Sequence, residues 1–323
     1  MQLTPTEYAS VVKLRFDAEV QASDGPAGKL VSVVADPSRF VITHAGVRTG
    51  MLFGKVYYVP AHLLAEGDDT TLSVSVPLEE IQQQSTKAAG PELSHATAVN
   101  ADGKALGHLE QLTINSETHA LRHLVVERMG RESLVNAGLI TALAAKQVGV
   151  HLDGKRSAQL TPYRSDKELH QEIYDRLYDY PRLRVDLPGV RIYVIDGVVW
   201  LRGNVASDVN RRLVDNLLQN VSGLDELHNE LYPDNEVAAS VSLALAHDAR
   251  TTGQRIGVYP RLGEAHLRGN IRSVEVGTAA MEIARGIPGV TTVVNELRIN
   301  SAATHLPDMA AVTGREDIVP GGS

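Results

Sequence analysis

Leu169, Ile173 and Leu177 recur at four-residue steps behind Ser165 and Glu168, which predicts an amphipathic helix opened by a capping box. The period then shortens to two: Val190-Arg191-Ile192-Tyr193-Val194 alternates, Asp196-Gly197 predicts a tight hairpin turn, and Val198-Val199-Trp200-Leu201 reads as a second strand. Ser207 or Asp208 is placed to cap a second helix with the apolar set Leu213, Val214, Leu217, Leu218 and Val221. Gly223 stops that helix, and Leu224 to Leu231 returns as a strand. The order α-β-β-α-β predicts two helices on one face of a small sheet.

The same pattern occurs again. Leu201-Arg202-Gly203-Asn204-Val205 falls on Leu267-Arg268-Gly269-Asn270-Ile271 at an offset of 66, which also brings Gly197 onto Gly263, Gly223 onto Gly289 and Asn229-Glu230-Leu231 onto Asn295-Glu296-Leu297. Upstream, Leu169, Ile173 and Leu177 match Val237, Val241 and Leu245 at 68, so the second copy is two residues shorter in between. A strand ending Leu-Arg-Gly-Asn, an amphipathic helix, then Ile287-Pro288-Gly289-Val290 and Val293-Val294-Asn295-Glu296-Leu297 resembles the BON domain, named for bacterial osmotic-shock and nodulation proteins. The resemblance implies non-catalytic α+β modules, at 165–232 and 235–300, that contact phospholipid or protein surfaces.

A weaker repeat at an offset of 79 organises the first half, with Gly28-Lys29-Leu30 on Gly107-His108-Leu109, Asp36 on Asn115, His44 on His123 and Val47 on Val126. Short alternating segments between Asp-Gly and Asn/Ser turns predict small β-barrels. Asp24-Gly25, Gly28-Lys29, Val41-Ile42-Thr43-His44 and Phe53-Gly54-Lys55-Val56-Tyr57-Tyr58-Val59-Pro60 resemble the PRC-barrel of reaction-centre H subunits and ribosome-maturation proteins. The second copy departs from that pattern after about residue 130, where Ser133-Leu134-Val135-Asn136 replaces the aromatic–proline strand. The expected architecture is multi-domain: two small all-β PRC-like barrels at 10–84 and 92–164, then the two α-β-β-α-β modules, then a disordered tail at 301–323, rich in Ala, Pro and Gly.

Composition narrows the chemistry. With no cysteine, disulfides, thiolate metal sites and cysteine nucleophiles are excluded. The net charge of −8 divides into 15 Lys+Arg against 17 Asp+Glu in residues 1–165 and 16 against 22 in the rest. Neither half has the concentrated basic surface that counterion release requires, so DNA is not an expected partner and RNA is disfavoured. No phosphate loop, nucleophile elbow or dinucleotide fingerprint occurs. His119 and His123 have the spacing of a zinc helix, but their neighbours read as strand, which would spread the rings ~13 Å apart. His44 and His123, equivalent in the repeat, are read as strand-end hydrogen-bonding groups.

No catalytic residue, cofactor or metal is expected. Arg202, Arg268, Asn204 and Asn270 are the candidate ligand or headgroup contacts, since they lead into helix N-termini where anions are favoured. The competing reading makes both arginines ordinary strand-end residues, and a neighbouring pair, Arg211-Arg212, a solvated helix face. Gly203, Gly269, Gly223 and Gly289 are read as structural turn glycines. The chain is therefore expected to be a non-enzymatic, stress- or envelope-associated scaffold or adaptor that forms a homo-oligomer or larger assembly and meets phospholipid or protein. The alternative is an RNA- or ribosome-associated factor acting through the PRC-like barrels. The start Met1-Gln2-Leu3-Thr4-Pro5 reads as no secretory leader, so cytoplasmic localisation is expected, with peripheral membrane or envelope association as the variant.

Overall fold

The computed structural model describes residues 11–50, 54–86, 89–152 and 160–300. The start of the chain and the tail at 301–323 lie outside the described residues. The chain divides into two compact units, residues 1–174 with 193–199 and 220–228, and residues 175–192 with 200–219 and 229–323.

The first half of the chain folds as two equivalent sheets. Strands β1 (Val11–Arg15), β2 (Glu19–Ala22), β3 (Gly25–Asp36), β4 (Val41–Arg48), β5 (Val56–Pro60), β6 (Leu64–Gly67) and β7 (Thr71–Val74) precede the short helix α1 (Leu78–Gln84). The second set is β8 (Glu92–Leu93), β9 (Thr97–Val99), β10 (Ala105–Asn115), β11 (Leu121–Arg128), β12 (Arg131–Asn136), β13 (Ile140–Ala144) and β14 (Gln147–Val150). Their orders are β5-β4-β3-β2-β7-β6 and β12-β11-β10-β9-β14-β13. β12 pairs with β11 as β5 does with β4, so the strand survives where the sequence leaves the PRC-like pattern.

The expected closed barrels are corrected to open mixed sheets: β5 and β6, or β12 and β13, end each path unjoined. The strand leading into each copy is used by the other copy instead. β1 pairs with β10, setting Leu14 opposite Leu112, and β8 pairs with β3, setting Leu93 opposite Val33. These pairs are related by the offset of 79. The exchange is reciprocal, like the two-fold contact of a homodimer written into one chain. Where the copies meet, Ile42 N donates to His119 O and Leu121 N to Phe40 O, both at 2.9 Å. Phe40 and His119, equivalent residues, share φ values of 54° and 57°. Both sheets bury one continuous Val/Leu/Ile/Ala core, including Leu14, Leu30, Ile42, Leu93, Leu109 and Leu124.

In the second half, α2 (Asp166–Asp179) and the one-turn α3 (Pro181–Arg184) precede β15 (Val190–Ile195), β16 (Val198–Val205), α4 (Asp208–Leu218) and β17 (Glu226–Pro233). The copy that follows is α5 (Asp234–His247), β18 (Arg255–Arg261), β19 (Glu264–Ile271), α6 (Val274–Arg285) and β20 (Thr292–Ile299). Each copy has a three-stranded sheet with its hairpin's second strand in the centre. β19 runs antiparallel to β18 and parallel to β20. The predicted capping box forms, with Glu168 N to Ser165 Oγ at 3.3 Å and Ser165 N to Glu168 Oε2 at 3.4 Å. Ser207, not Asp208, caps α4 by accepting from Asn210 N. Leu169, Ile173 and Leu177 are buried, as are Val237, Val241 and Leu245. α3 was not foreseen; Pro181 starts it at the position where proline costs no hydrogen bond.

Candidate functional site

The two Leu-Arg-Gly-Asn segments lie at equivalent places in the central strands β16 and β19. Gly203 has φ 110°, and a Cβ there would lie 1.9 Å from Gly189 O; at Gly269, φ is 144° and the distance to Arg255 O is 2.2 Å. Both glycines are thus required by a close backbone approach as well as by φ. Gly223 and Gly289, each at φ 87°, lie in turns beyond their helices, which already end at Leu218 and Arg285 with Gln219 and Gly286 at the C-caps, so the expected helix stop is corrected to a turn position. Arg202 donates to Glu230 at 2.8 Å, and Arg268 pairs with Glu296, its equivalent partner 66 residues on. Arg268 also lies over the Tyr259 ring, 5.3 Å from its centroid. The Arg268 guanidinium, with help from His266, holds the Glu296 carboxyl at about 2. Both candidate arginines therefore have a protein carboxylate as partner, and both lie within their strands, not at the ends. Arg211 pairs with Glu236 and Arg212 with Asp208.

The two asparagines separate. Asn270 is exposed on β19. Asn204 is buried, and its Nδ2 donates to Gly289 O at 2.7 Å. A Cβ on Gly263 would meet Asn204 Oδ1 at 2.7 Å. Around this contact, Asp208 N donates to Asn235 Oδ1 at 3.0 Å and Arg211 reaches Glu236 at 2.8 and 3.1 Å. The far end of the first sheet is therefore seated on the hairpin-turn end of the second module.

The turn end of the first module carries what the sequence reading missed. Asp166, at the start of α2, accepts from Asp196 N at 2.8 Å, as Asp234 accepts from Leu262 N at 2.8 Å in the second copy. Asp196 stands where the second copy has Leu262, and it is fully buried. Lys13 of β1, itself buried, places Nζ 2.8 Å from Asp166 Oδ2, 3.0 Å from Asp196 Oδ1 and 3.5 Å from Asp69 Oδ1. It also donates to Tyr163 Oη at 3.3 Å, and Tyr163 in turn donates to Asp69. His123 Nδ1 lies 3.6 Å from Asp196 Oδ2. The repeat signal that singled out His123 thus pointed at a real buried position, though its partner is a carboxylate from another module. His44 has a buried Nδ1 for which no hydrogen bond is described.

Burial disfavours the Lys13 charge, but Asp196 and Asp166 outweigh it and hold the ammonium above its ordinary range. Burial likewise works against Asp196, yet His123 and Lys13 bring it down to about 2. One cation cannot neutralise three carboxylates, and Asp166 bears the difference: burial and Asp196 push it up to about 6 against the pull of Lys13. A raised carboxyl contributes stability at low pH that is lost as pH rises through the folded value. The stability of Asp166→Asn relative to the unsubstituted chain is therefore expected to rise between pH 4 and pH 7. Urea midpoints across that range check it, and a flat difference contradicts the protonation of Asp166.

Residues 165–231 and 233–301 each match the family model of the BON domain. The second half carries two tandem BON domains. No curated protein matches the chain. Among solved structures it is similar to CdsD, a structural protein of the type III secretion system of Chlamydia trachomatis, at 18% identity and a TM-score of 0.36, over 43% of this chain and 66% of that one. A C-terminal domain of CdsD gives 16% identity and a TM-score of 0.34, over 42% and 66%. The chain thus spans just under two thirds of either structure. The PRC-barrel resemblance of residues 10–164 is not identified in these comparisons.

BON1 and BON2 differ most on the sheet face opposite their helices. In BON2 the rungs of that face read Arg255–Asn270–Arg298, Gly257–Arg268–Glu296, Tyr259–His266–Val294 and Arg261–Glu264–Thr292 across β18, β19 and β20. Arg255, Tyr259, Arg261, Arg268, Asn270 and Arg298 are exposed. In BON1 the central-strand positions are Val198, Trp200, Arg202 and Asn204, and Trp200 is 1% exposed. The repeat puts a buried tryptophan where BON2 has His266. Among the described residues, no group of three or more His, Asp or Glu is placed to hold a metal, and no helix is long and apolar enough to cross a membrane. His119 sits in a turn and His123 in β11, so the pair does not share a helix.

Proposed function

We propose that this chain is a non-catalytic binding protein, a stress- or envelope-associated scaffold or adaptor whose open BON2 sheet face meets anionic phospholipid. BON domains are typically non-catalytic, and the family is associated with phospholipid surfaces and stress. The observation that carries the reading is the contrast between the sheet faces: the BON1 central strand buries Trp200, whereas BON2 leaves four arginines and Tyr259 exposed around a Glu296 already paired with Arg268. Arginine forks suit phosphate oxygens, and a tyrosine suits the boundary between headgroup and acyl chain. The paired open sheets of the N-terminal half, read as PRC-barrel-like, serve as the body that carries the BON domains.

Flotation of the full chain with phosphatidylcholine vesicles, with and without phosphatidylglycerol, tests this. The chain is expected to float with the anionic vesicles alone, and Arg261→Glu is expected to weaken partition about tenfold, more at low salt. Equal recovery with neutral vesicles, or recovery with neither, overturns the lipid contact.

A further inference from the structure

Taken rung by rung, the outer face of BON2 keeps its positive charge at one end. Arg268 and Glu296 pair within the rung Gly257–Arg268–Glu296, Tyr259–His266–Val294 has no arginine or carboxylate, and Arg261 stands opposite Glu264 in the rung at the turn end. The remaining rung, Arg255–Asn270–Arg298, sets an arginine on either side of an asparagine, with no carboxylate among them. All three residues are exposed, as is Arg272 just past the end of β19. Arg202, Arg211, Arg212, Arg250 and Arg268 each pair with a carboxylate, whereas among the described residues Arg255 and Arg298 have no such partner.

We propose that Arg255, Asn270 and Arg298 form a phosphate-binding site, with an arginine fork closing from each flank and the asparagine amide donating from the middle. Neighbouring strands lie about 4.8 Å apart, so the two arginines start about 10 Å from one another, a span that two such side chains close over one tetrahedral oxyanion. Asn204, the counterpart of Asn270, shows the amide at this position donating to an oxygen, Gly289 O at 2.7 Å. Among the described residues no acceptor for the Asn270 amide occurs, and a phosphate oxygen takes there the role that Gly289 O has for Asn204.

The site belongs to the second copy alone. The equivalent positions of BON1 are Gly189, Asn204 and Tyr232, which keep the asparagine and lack both arginines. Arg268 is not part of the site, because Glu296 already holds its guanidinium. A lipid headgroup as the ligand rests on the reading of this face as the surface that meets anionic phospholipid, which the site narrows to one rung. Free phosphate presents the same oxygens, so the two sources are separated by experiment.

The full chain, labelled with nitrogen-15, is titrated with sodium phosphate against sodium chloride at constant ionic strength, and flotation with phosphatidylglycerol vesicles is measured separately in phosphate-free buffer. Phosphate is expected to shift the Asn270 side-chain amide and the Arg255 and Arg298 Nε signals together, to saturation, with chloride leaving them in place. Arg255→Ala/Arg298→Ala is expected to lose the Asn270 shift and to partition onto the vesicles about thirtyfold more weakly, one step of charge for each arginine. Arg212→Ala/Arg285→Ala removes the same charge from helix surfaces and is expected to stay within about twofold of the unsubstituted chain in both arms. Urea midpoints of the two double variants must match, so that a folding defect is not read as lost binding. Saturation by phosphate without flotation keeps the site, assigns it to free phosphate and removes the lipid reading. An Asn270 amide unmoved by phosphate overturns the site. Flotation of Arg255→Ala/Arg298→Ala at the level of the charge-matched control also overturns it, and leaves the lipid reading standing.

Discussion

Replacing Lys13 with methionine is expected to lower the unfolding free energy by about 3–5 kcal/mol, read as a fall in the urea midpoint at neutral pH. The loss comes less from the ion pairs themselves than from what their removal leaves behind. Asp196 is fully buried, and Asp166 and Asp69 are mostly covered, so three carboxylates would face one another without a cation. The second copy shows how such a position is settled without charge, since Leu262 stands at the place of Asp196. Adding Asp196→Leu to Lys13→Met is therefore expected to recover most of the loss. A Lys13→Met chain within about 0.5 kcal/mol of the unsubstituted one would show that the cluster is not the close-packed lock described here.

The second large effect belongs to Trp200. Truncation to alanine is expected to cost about 3–5 kcal/mol, because a fully buried indole leaves both lost burial and a cavity. His266→Ala, the same position in BON2, is expected to cost far less, since that side chain stands on an open face hydrogen-bonded to Glu296. Circular dichroism against urea compares the two. Equal costs would mean that the two sheet faces are alike in solution, and the contrast on which the functional reading rests would fall.

The modules of the second half were legible because each local signal agreed with the tertiary outcome. The 3.6-residue stripe of Leu169, Ile173 and Leu177 faces a sheet that buries it, the Ser165–Glu168 box caps α2, and Asp196 and Gly197 take the positive φ values of the turn their dipeptide announced. The first half was legible as a duplication and not as an architecture. Alternation over 11–15 or 92–93 says that a strand forms and cannot say which sheet it joins, because the side-chain period is the same in either pairing. Closed barrels were the wrong expectation for that reason. The strand that would have served its own copy is hydrogen-bonded to the other.

The candidate site divides along the same line. Arg202 and Arg268, with Gly203 and Gly269, were found by the repeat, and the structure adds their matched partners Glu230 and Glu296. Lys13 left no trace: it is one lysine in an alternating strand, 153 residues before Asp166 and 183 before Asp196. Ion pairing of that kind depends on distance in space, which sequence spacing does not carry.

The sequence by itself determined two duplications, the helix caps, the hairpin turns and the glycines that allow close backbone approach, all of them interactions between residues near in the chain or related by a fixed offset. Only the tertiary structure decided which strand completes which sheet, that Asn204 is buried while Asn270 is free, and that Lys13 is the counterion of Asp196. Those outcomes follow from long-range packing, where identical local patterns meet different neighbours, and the same Leu-Arg-Gly-Asn strand segment ends in a buried asparagine in BON1 and an exposed one in BON2.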